Sequence, residues 1–143
     1  MTDIFVNIPT SDLERSKAFY TALGCRIDPN FTDENAACIV WDENIYFMVL
    51  TREFFGTFTD KTVADPATTA QVLTAFSRPS REEVDATLEK GLAAGGTEPR
   101  DPQDYGFMYS RSMEDPDGNV VEFVHMDPVA AEQGPGALQE QQQ

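Results

Sequence analysis

The sequence predicts an α+β fold of two β-α-β-β-β modules, with curved mixed sheets enclosing a cleft and the helices outside. The main observation is that helix and turn signals recur at a nearly constant spacing, which indicates an internal duplication. The matched pairs are Ser11 with Ser80, Gly24 with Gly95 and Asn44 with Gly118, which lie 69, 71 and 74 residues apart. A second observation is that each module has one amphipathic helix, which covers one sheet face and leaves the other free to line a cleft.

The first module, residues 1–59, opens with a strand over residues 4–8 whose alternation places Phe5 and Asn7 on one face. Ser11 and Glu14 have the spacing of a capping box, so a helix is expected to begin there. Three further strands complete the module, and they are predicted over residues 25–29, 36–41 and 45–50.

An aromatic segment ends the first module and carries Phe54, Phe55 and Phe58. It is too short for a core helix, and two interpretations stay open because aromatic residues dominate both pockets and cores. These side chains form a wall or lid over a site, or they plug the end of the sheet. Residues 60–69 lack periodicity and are predicted to be a connector.

The second module, residues 70–127, repeats the pattern. A strand is predicted over residues 71–77, with Val72, Thr74 and Phe76 on the same face. Ser80 and Glu83 form a second capping box. Further strands are predicted over residues 97–100, 107–112 and 120–126. The helical residues expected to be buried against the sheets of both modules are Leu13, Tyr20, Val84, Leu88 and Leu92.

Glu122 is the candidate catalytic residue. The preceding turn, with Pro116 and Gly118, leads into a strand whose two faces are largely apolar. A carboxylate in such a strand must be neutralised, paired or bound to a metal, because an unpaired buried charge is costly. Three roles stay open for Glu122: a metal ligand, a catalytic acid or base, or the partner of an arginine such as Arg111.

Composition excludes several classes of partner. Ten basic residues against 25 acidic ones give a net charge of −15, which repels nucleic-acid phosphates and anionic lipid. No apolar run approaches the roughly 20 residues of a membrane span, and the first residues lack the basic start of a signal peptide. We therefore expect a cytoplasmic protein with no nucleic-acid or membrane partner. Cys25 and Cys38 lack a paired spacing and are expected to be buried hydrophobic residues.

Three features together resemble the vicinal oxygen chelate superfamily, which includes glyoxalase I, bleomycin-resistance proteins, fosfomycin-resistance enzymes and extradiol dioxygenases. They are the duplicated module order, the segment Ser11 to Tyr20 closed by Leu23-Gly24, and the ending Asp115 to Glu122. The resemblance covers about residues 4–126. It implies the fold and leaves the reaction open, because one scaffold hosts many chemistries.

In metal-dependent members, the resemblance implies ligands from the first and last strands of each module. The matching positions are Phe5, Met48 or its neighbour Phe47, Thr74 or its face neighbours Val72 and Phe76, and Glu122. Only Glu122 is a suitable ligand, because a phenyl ring cannot coordinate and a thioether or neutral hydroxyl suits such ions poorly. We expect no cofactor and no tightly bound metal, with at most a weakly held divalent ion.

Three classes of function stay open. The favoured one is binding of a small, partly apolar molecule in the cleft between the modules. The second is a metal-dependent lyase, isomerase or dioxygenase, similar to lactoylglutathione lyase, that uses Glu122 as ligand or as acid and base. The third is a protein whose cleft is filled by its own side chains and whose role is association. The candidate ligand-binding residues are Phe5, Asn7, Trp41, Met48, Thr74, Phe76 and Tyr109.

The remaining expectations concern His125, assembly and the tail. His125 is the only histidine, and strand parity places it on the face opposite Glu122, where a structural role is expected. The resemblance implies a homodimer, since two-module chains of this superfamily usually pair, and apolar strand positions that one chain must hide favour the same assembly. Residues 128–143 are rich in Gln, Gly and Pro and are expected to be a flexible tail.

Overall fold

Two four-stranded mixed sheets form the frame of the computed structural model, which describes residues 1–134 and 136. The first module contains β1 (Ile4–Thr10), α1 (Leu13–Ala22), β2 (Arg26–Asp28), β3 (Ala36–Asp42) and β4 (Ile45–Thr51), and its strand order is β1-β4-β3-β2. After α2 (Arg52–Phe55), the second module contains β5 (Thr74–Ser77), α3 (Arg81–Ala93), β6 (Gln103–Asp104), β7 (Met108–Glu114) and β8 (Val120–Met126) in the order β5-β8-β7-β6. Only β1 with β4 and β5 with β8 pair in parallel in the described residues. The predicted α+β class and module order are confirmed.

Both long helices begin at a side-chain cap, and the first cap differs from the prediction. Asp12 and Ser80 each accept a hydrogen bond at 3.1 Å from the backbone N–H three residues later. Ser11 is not the cap of α1, because its hydroxyl donates instead to Asp117 in the other module. The two caps are therefore 68 residues apart, one fewer than the predicted pairing of Ser11 with Ser80.

One hydrophobic core joins the two modules. α1 packs on β3 and β4, α3 packs on β7 and β8, and the two helices contact each other. Trp41 of the first sheet stacks on Phe76 of the second, with 4.2 Å between ring centroids. The helix-covered faces of the two sheets therefore look toward each other across the helices. Buried members of this core include Leu13, Phe19, Tyr20, Ile39, Phe47, Val84, Leu88, Met113 and Phe123.

This packing differs from the predicted arrangement, in which the helices lie outside and the sheets close around a cleft. Large aromatic side chains on the helix-covered faces, such as Phe47 and Phe123, bury their area in the shared core. The opposite faces point away from that core and do not meet within one chain. We call them the outer face of sheet 1, which carries Phe5, Asn7 and Met48, and the outer face of sheet 2, which carries Ser112, Glu122 and Val124.

The turn before β8 connects the modules through Asp115. Its side chain is almost fully buried and accepts three backbone N–H groups of its own turn at 2.9 to 3.0 Å. It also accepts the hydroxyl of Tyr20 in α1 at 2.7 Å. Burial raises the pKa of the Asp115 carboxyl, while the hydrogen bonds from Asn119 and Tyr20 oppose that shift.

Asp117 in the same turn forms a second connection. Its carboxylate accepts hydrogen bonds from Thr10 at 2.6 Å and from the backbone and hydroxyl of Ser11 at 2.8 Å, and it pairs with Arg15 at 3.0 Å. Burial alone would raise the pKa of Asp117, but these hydrogen bonds and the Arg15 charge outweigh burial and hold it below its usual value. We call Asp115 and Asp117 the inter-module latch.

Several predicted elements shift or shrink. The strand predicted over residues 97–100 is reduced to a single bridge from Thr97 to Glu114, and the short β6 replaces it further along. Pro99 and Pro102 explain the loss, because a proline donates no ladder hydrogen bond. Leu92, predicted to be buried, is only half-buried. The residue turned into the core at that point is Gly91, where any Cβ would overlap Met113.

The chain beyond β8 begins with a helix rather than with the predicted flexible tail. This helix, α4 (Pro128–Gln133), is capped by Asp127, which accepts the N–H of Val129 at 2.9 Å, and Ala130 is buried. Residue 135 and residues 137–143 of the predicted tail lie outside the described residues. None of the helices in the described part of the chain has the length and hydropathy that crossing a bilayer requires.

Candidate functional site

A groove of about 560 Å³ lies on the outer face of sheet 1. Two short segments rise over that face: a 3₁₀ turn at Pro29–Phe31, and α2 followed by a 3₁₀ turn at Gly56–Phe58. The volume lies within the roughly 300–1,000 Å³ that small-molecule sites span. We call this site the aromatic groove; its floor includes Asn7, Met48 and Leu50, and its walls include Phe31, Phe54 and Phe58.

The walls of the aromatic groove are positioned by local side-chain hydrogen bonds. Asp28 caps the 3₁₀ turn by accepting the N–H of Asn30 at 3.0 Å. Thr32 ties the same turn to the sheet, because its hydroxyl donates to the Asp28 carbonyl at 2.7 Å and accepts the N–H of Cys38 at 3.1 Å. Thr51 caps α2. The groove is therefore a built feature of the sheet face.

The aromatic groove can take an apolar body and orient one polar group. Phe54 and Phe58 pack edge to face at 5.0 Å, and Phe58 remains 56% exposed, so a ring is available for a ligand. Asn7 lies in register with Met48 and offers an amide donor and acceptor on the floor. Beside the groove, Phe5 stacks on Tyr46 at 4.7 Å.

Glu122 lies on the outer face of sheet 2, half-buried, and accepts a hydrogen bond from Ser112 at 3.1 Å. It is not paired with Arg111, because alternate residues of β7 face opposite sides. Arg111 turns inward, where it donates two hydrogen bonds to Glu98 at 2.8 Å and one to Asp85 at 2.9 Å. The hydrogen bonds that Arg111 donates to Glu98 raise the pKa of Arg111 above its usual range.

Four predicted ligand-binding residues lie on the inner, helix-covered faces rather than beside Glu122. Trp41 and Phe76 stack on each other in the core, and the hydroxyl of Tyr109 donates to a carboxylate on α3. Thr74 is in register with Val121. For Thr74 and Phe76 the cause is the misplaced first cap, since a slip of one residue transfers every side chain of a strand to the opposite face.

The sequence left two interpretations of the aromatic segment, a wall over a site or a plug at the end of the sheet. In the structure its three phenylalanines line two different pockets. Phe54 and Phe58 line the aromatic groove, whereas Phe55 lines a smaller chamber beneath the connector. The sequence analysis missed Phe31. The sequence offered one signal for it, which is a single phenylalanine in a stretch of turn-forming residues. In the structure the Phe31 side chain is 67% exposed.

The side chains present do not fit the metal centre that the superfamily resemblance implies. Leu73 is the counterpart of Phe5 once the caps are paired correctly, so the four positions are Phe5, Met48, Leu73 and Glu122. A catalytic site needs about three protein ligands, and only one of the four is suitable. Within residues 1–134 and 136, no three His, Cys, Asp or Glu side chains come together as a metal site.

Other reactive side chains have structural surroundings. The Nδ1 atom of His125 lies 3.1 Å from the carbonyl oxygen of Arg78, on the face opposite Glu122. Cys25 and Cys38 are both free and buried. Burial raises the pKa of the Cys25 thiol to about 12, so it stays protonated at neutral pH.

Comparison with known proteins supports one fold. Residues 3–41 match the family model for the bleomycin resistance protein-like N-terminal region. The structure of a glyoxalase/bleomycin resistance protein/dioxygenase family enzyme from Burkholderia phytofirmans PsJN is 20% identical, with a TM-score of 0.71, over 85% of this chain and 96% of that one. A glyoxalase/bleomycin resistance protein from Albidiferax ferrireducens T118 is 27% identical, with a TM-score of 0.62, over 85% and 95%. A lactoylglutathione lyase from Agrobacterium tumefaciens is 17% identical, with a TM-score of 0.64, over 85% and 91%. No curated protein sequence matches the chain.

Proposed function

We propose that this chain, a member of the vicinal oxygen chelate superfamily by its fold and by the family model at its first module, binds a small, partly apolar organic molecule without a tightly bound metal. The observation that supports the proposal is the aromatic groove, in which an amide floor meets aromatic walls in about 560 Å³. Burial of a ligand ring against Phe54 and Phe58 supplies affinity, and Asn7 orients a polar substituent.

The proposal includes a homodimer in which the outer face of sheet 2 from a second copy covers the groove. Large apolar side chains stay exposed on β1, just before β5 and at the end of β8, which is typical of an interaction surface. They are Ile4, Phe5, Val72, Leu73 and Met126, at 52%, 54%, 67%, 55% and 40% exposure. In that assembly Glu122 faces the groove as a hydrogen-bond acceptor for the bound molecule.

The second candidate is a metal-dependent lyase, isomerase or dioxygenase that uses Glu122. The fold likeness to a lactoylglutathione lyase favours it. The donor set argues against it, because Phe5, Met48 and Leu73 supply no charged ligand and affinity follows ligand charge and number. This candidate makes a separate prediction about metal content, so the two can be told apart.

The test of ligand binding uses N-phenyl-1-naphthylamine, a neutral three-ring probe whose fluorescence rises when it is buried. We expect saturable binding that Phe58→Ala weakens at least five-fold, because that ring forms a wall of the groove. Tyr105→Ala is the matched control, since Tyr105 is also 56% exposed and lies on the second module outside the groove. Equal effects of the two variants would remove the groove as the site.

The test of metal content is elemental analysis after dialysis, with light scattering for the assembly. We expect less than one tenth of an equivalent of zinc, iron, nickel or manganese per chain, and a particle of two chains at micromolar concentration. About one equivalent of metal that is lost in Glu122→Ala would put the metal-dependent enzyme first. If the protein is a monomer at all concentrations, no second copy covers the groove and Glu122 does not take part in the site.

A further inference from the structure

A second, smaller chamber lies between the free edge of β1, the start of β8 and the connector. Its volume is about 200 Å³. It is partly open to solvent, because Asn7, Thr69 and Ala70 of its lining are exposed. We call it the connector chamber; residues around it include Val6, Asn7 and Phe47 of sheet 1, Val121 of sheet 2, and Val63 and Ala64 of the connector.

The roof of the connector chamber is fixed at two points. Arg52 donates to the carbonyl oxygens of Val63 and Ala64 at 3.0 and 2.9 Å. Gly118 lies against the next stretch of the connector, with a φ of 103° and with space so tight that a Cβ would lie 2.6 Å from the Pro66 carbonyl oxygen. The connector is thus held over the chamber by specific contacts rather than collapsed into it.

The lining of the connector chamber is uncharged. None of the residues that surround it is Asp, Glu, Lys, Arg or His, although charged residues make up 24% of the chain. An ionised ligand would lose part of its hydration there without gaining a counter-charge, which is costly. The lining therefore selects a neutral occupant.

One donor and one acceptor of the main chain face the chamber from β1. Ile4 donates its N–H to the Asn44 carbonyl on the β4 side, and successive backbone groups of a strand alternate in direction. The N–H and C=O of Asn7 therefore point to the free edge, as does the Pro9 carbonyl, which accepts Asn119 Nδ2 at 3.0 Å. In the described part of the chain, neither main-chain group of Asn7 has a hydrogen-bond partner.

We propose that the connector chamber is a binding site for a neutral molecule built on a single ring, with one primary amide or similar group. That group donates to the Asn7 carbonyl and accepts the Asn7 N–H, and its ring packs against Val6, Phe47 and Val121. The size agrees, because an apolar cavity of about 150 Å³ holds benzene. This site shares only Asn7 with the aromatic groove, through the main chain of that residue rather than its side chain, and it does not depend on the function proposed for the groove.

The test compares benzamide with benzoate, which have the same shape and differ in charge. Trp41 is the only tryptophan, and its ring lies 5.4 Å from that of Phe47 in the chamber wall, so its fluorescence reports occupancy. We expect one saturable benzamide site per chain and binding of benzoate at least ten-fold weaker. Benzoate binding as tight as benzamide, or no benzamide binding at millimolar concentration, would overturn the proposal.

Two connector variants locate the site. Ala64→Phe fills the chamber and is expected to weaken benzamide binding at least ten-fold, whereas Thr68→Phe places the same ring on the connector outside the lining and should leave it unchanged. Nuclear Overhauser contacts from benzamide ring protons to the methyl groups of Val6 and Val121 give a readout in the unaltered chain. Their absence, or unchanged affinity in folded Ala64→Phe, would contradict the assignment.

Discussion

The two modules share one topology but differ in what covers their outer faces. On sheet 1, Cys38 and Leu50 are 2% and 1% exposed, because the segments after β2 and β4 fold over them. On sheet 2, Ser112 and Glu122 are only half-buried. The strand pairing is the same in both, so the difference arises in the connecting segments. It shows how one frame can carry a groove in one half and a plain acceptor surface in the other.

The inner faces differ as well. Arg111 pairs with Phe123 in β8, and Ala37 pairs with Val49 at the matching place in the first module. One module thus fills this place with a fully buried alanine, and the other with a guanidinium held by Glu98 and Asp85. Duplication conserved the register while the chemistry of the two cores diverged.

The largest expected effect distinguishes the inner face of sheet 1 from its outer face. Phe47→Ala should lower the free energy of unfolding by about 3–5 kcal/mol, because the ring is 1% exposed and packs among Tyr20, Trp41 and Phe76. Phe5→Ala is the control on the outer face, where the ring is 54% exposed and the expected change is within about 0.5 kcal/mol. Urea unfolding measures both, and equal losses would mean that the two faces have been assigned wrongly.

The sequence could predict the fold because turns and caps are local signals. Gly24 and Gly95 follow the helices with φ of 100° and 107°, and such positive φ values favour glycine. Which side chains of β5 lie on which face could not be predicted in the same way. Ser11 and Asp12 are both good caps, and choosing the wrong one shifts the register by a single residue, which moves Thr74 and Phe76 to the other face.

The candidate site was harder to predict than the fold. The walls of the aromatic groove depend on contacts such as the Thr32 hydroxyl with the Cys38 N–H, which leave no periodic pattern in the sequence. The direction in which the modules pack is also a tertiary property, set by contacts such as Trp41 on Phe76. Alternation shows that a strand has two apolar faces, but it does not show which one meets the other module.

A second prediction concerns the ion pairs of the second inner face. Arg111→Ala should destabilise the protein by roughly 1–3 kcal/mol, because two carboxylates lose their partner; their side chains are 20% and 49% exposed, so water partly compensates. Arg81→Ala is the control, since its pair with Asp104 lies on the surface and its loss should be much smaller. Thermal unfolding distinguishes them, and an Arg111→Ala protein as stable as Arg81→Ala would show that the network adds nothing.

The smallest expected effect is the pH dependence that Asp117 contributes to the inter-module latch. The pKa of Asp117 is lower in the folded chain than the roughly 3.9 of an unfolded aspartate, so the folded state favours its ionised form. The stability that Asp117 contributes is therefore present above about pH 4 and is lost as the pH falls through its lowered folded value. We expect Asp117→Asn to cost about 1–2 kcal/mol at neutral pH, where the hydrogen bonds to a charged acceptor are lost.

The same substitution should also flatten the acid limb of the stability curve, because the mutant has no proton to take up at this position. Asp60→Asn, at an exposed connector residue, is the control and should leave both the neutral stability and the acid limb as they are. The fluorescence of Trp41 is a suitable probe, since its ring contacts Phe76 across the two modules and should be exposed when the modules separate. Parallel acid limbs for Asp117→Asn and the unaltered chain would show that the charge of Asp117 does not hold the modules together, and that its hydrogen bonds to Thr10 and Ser11 act equally well through a neutral amide.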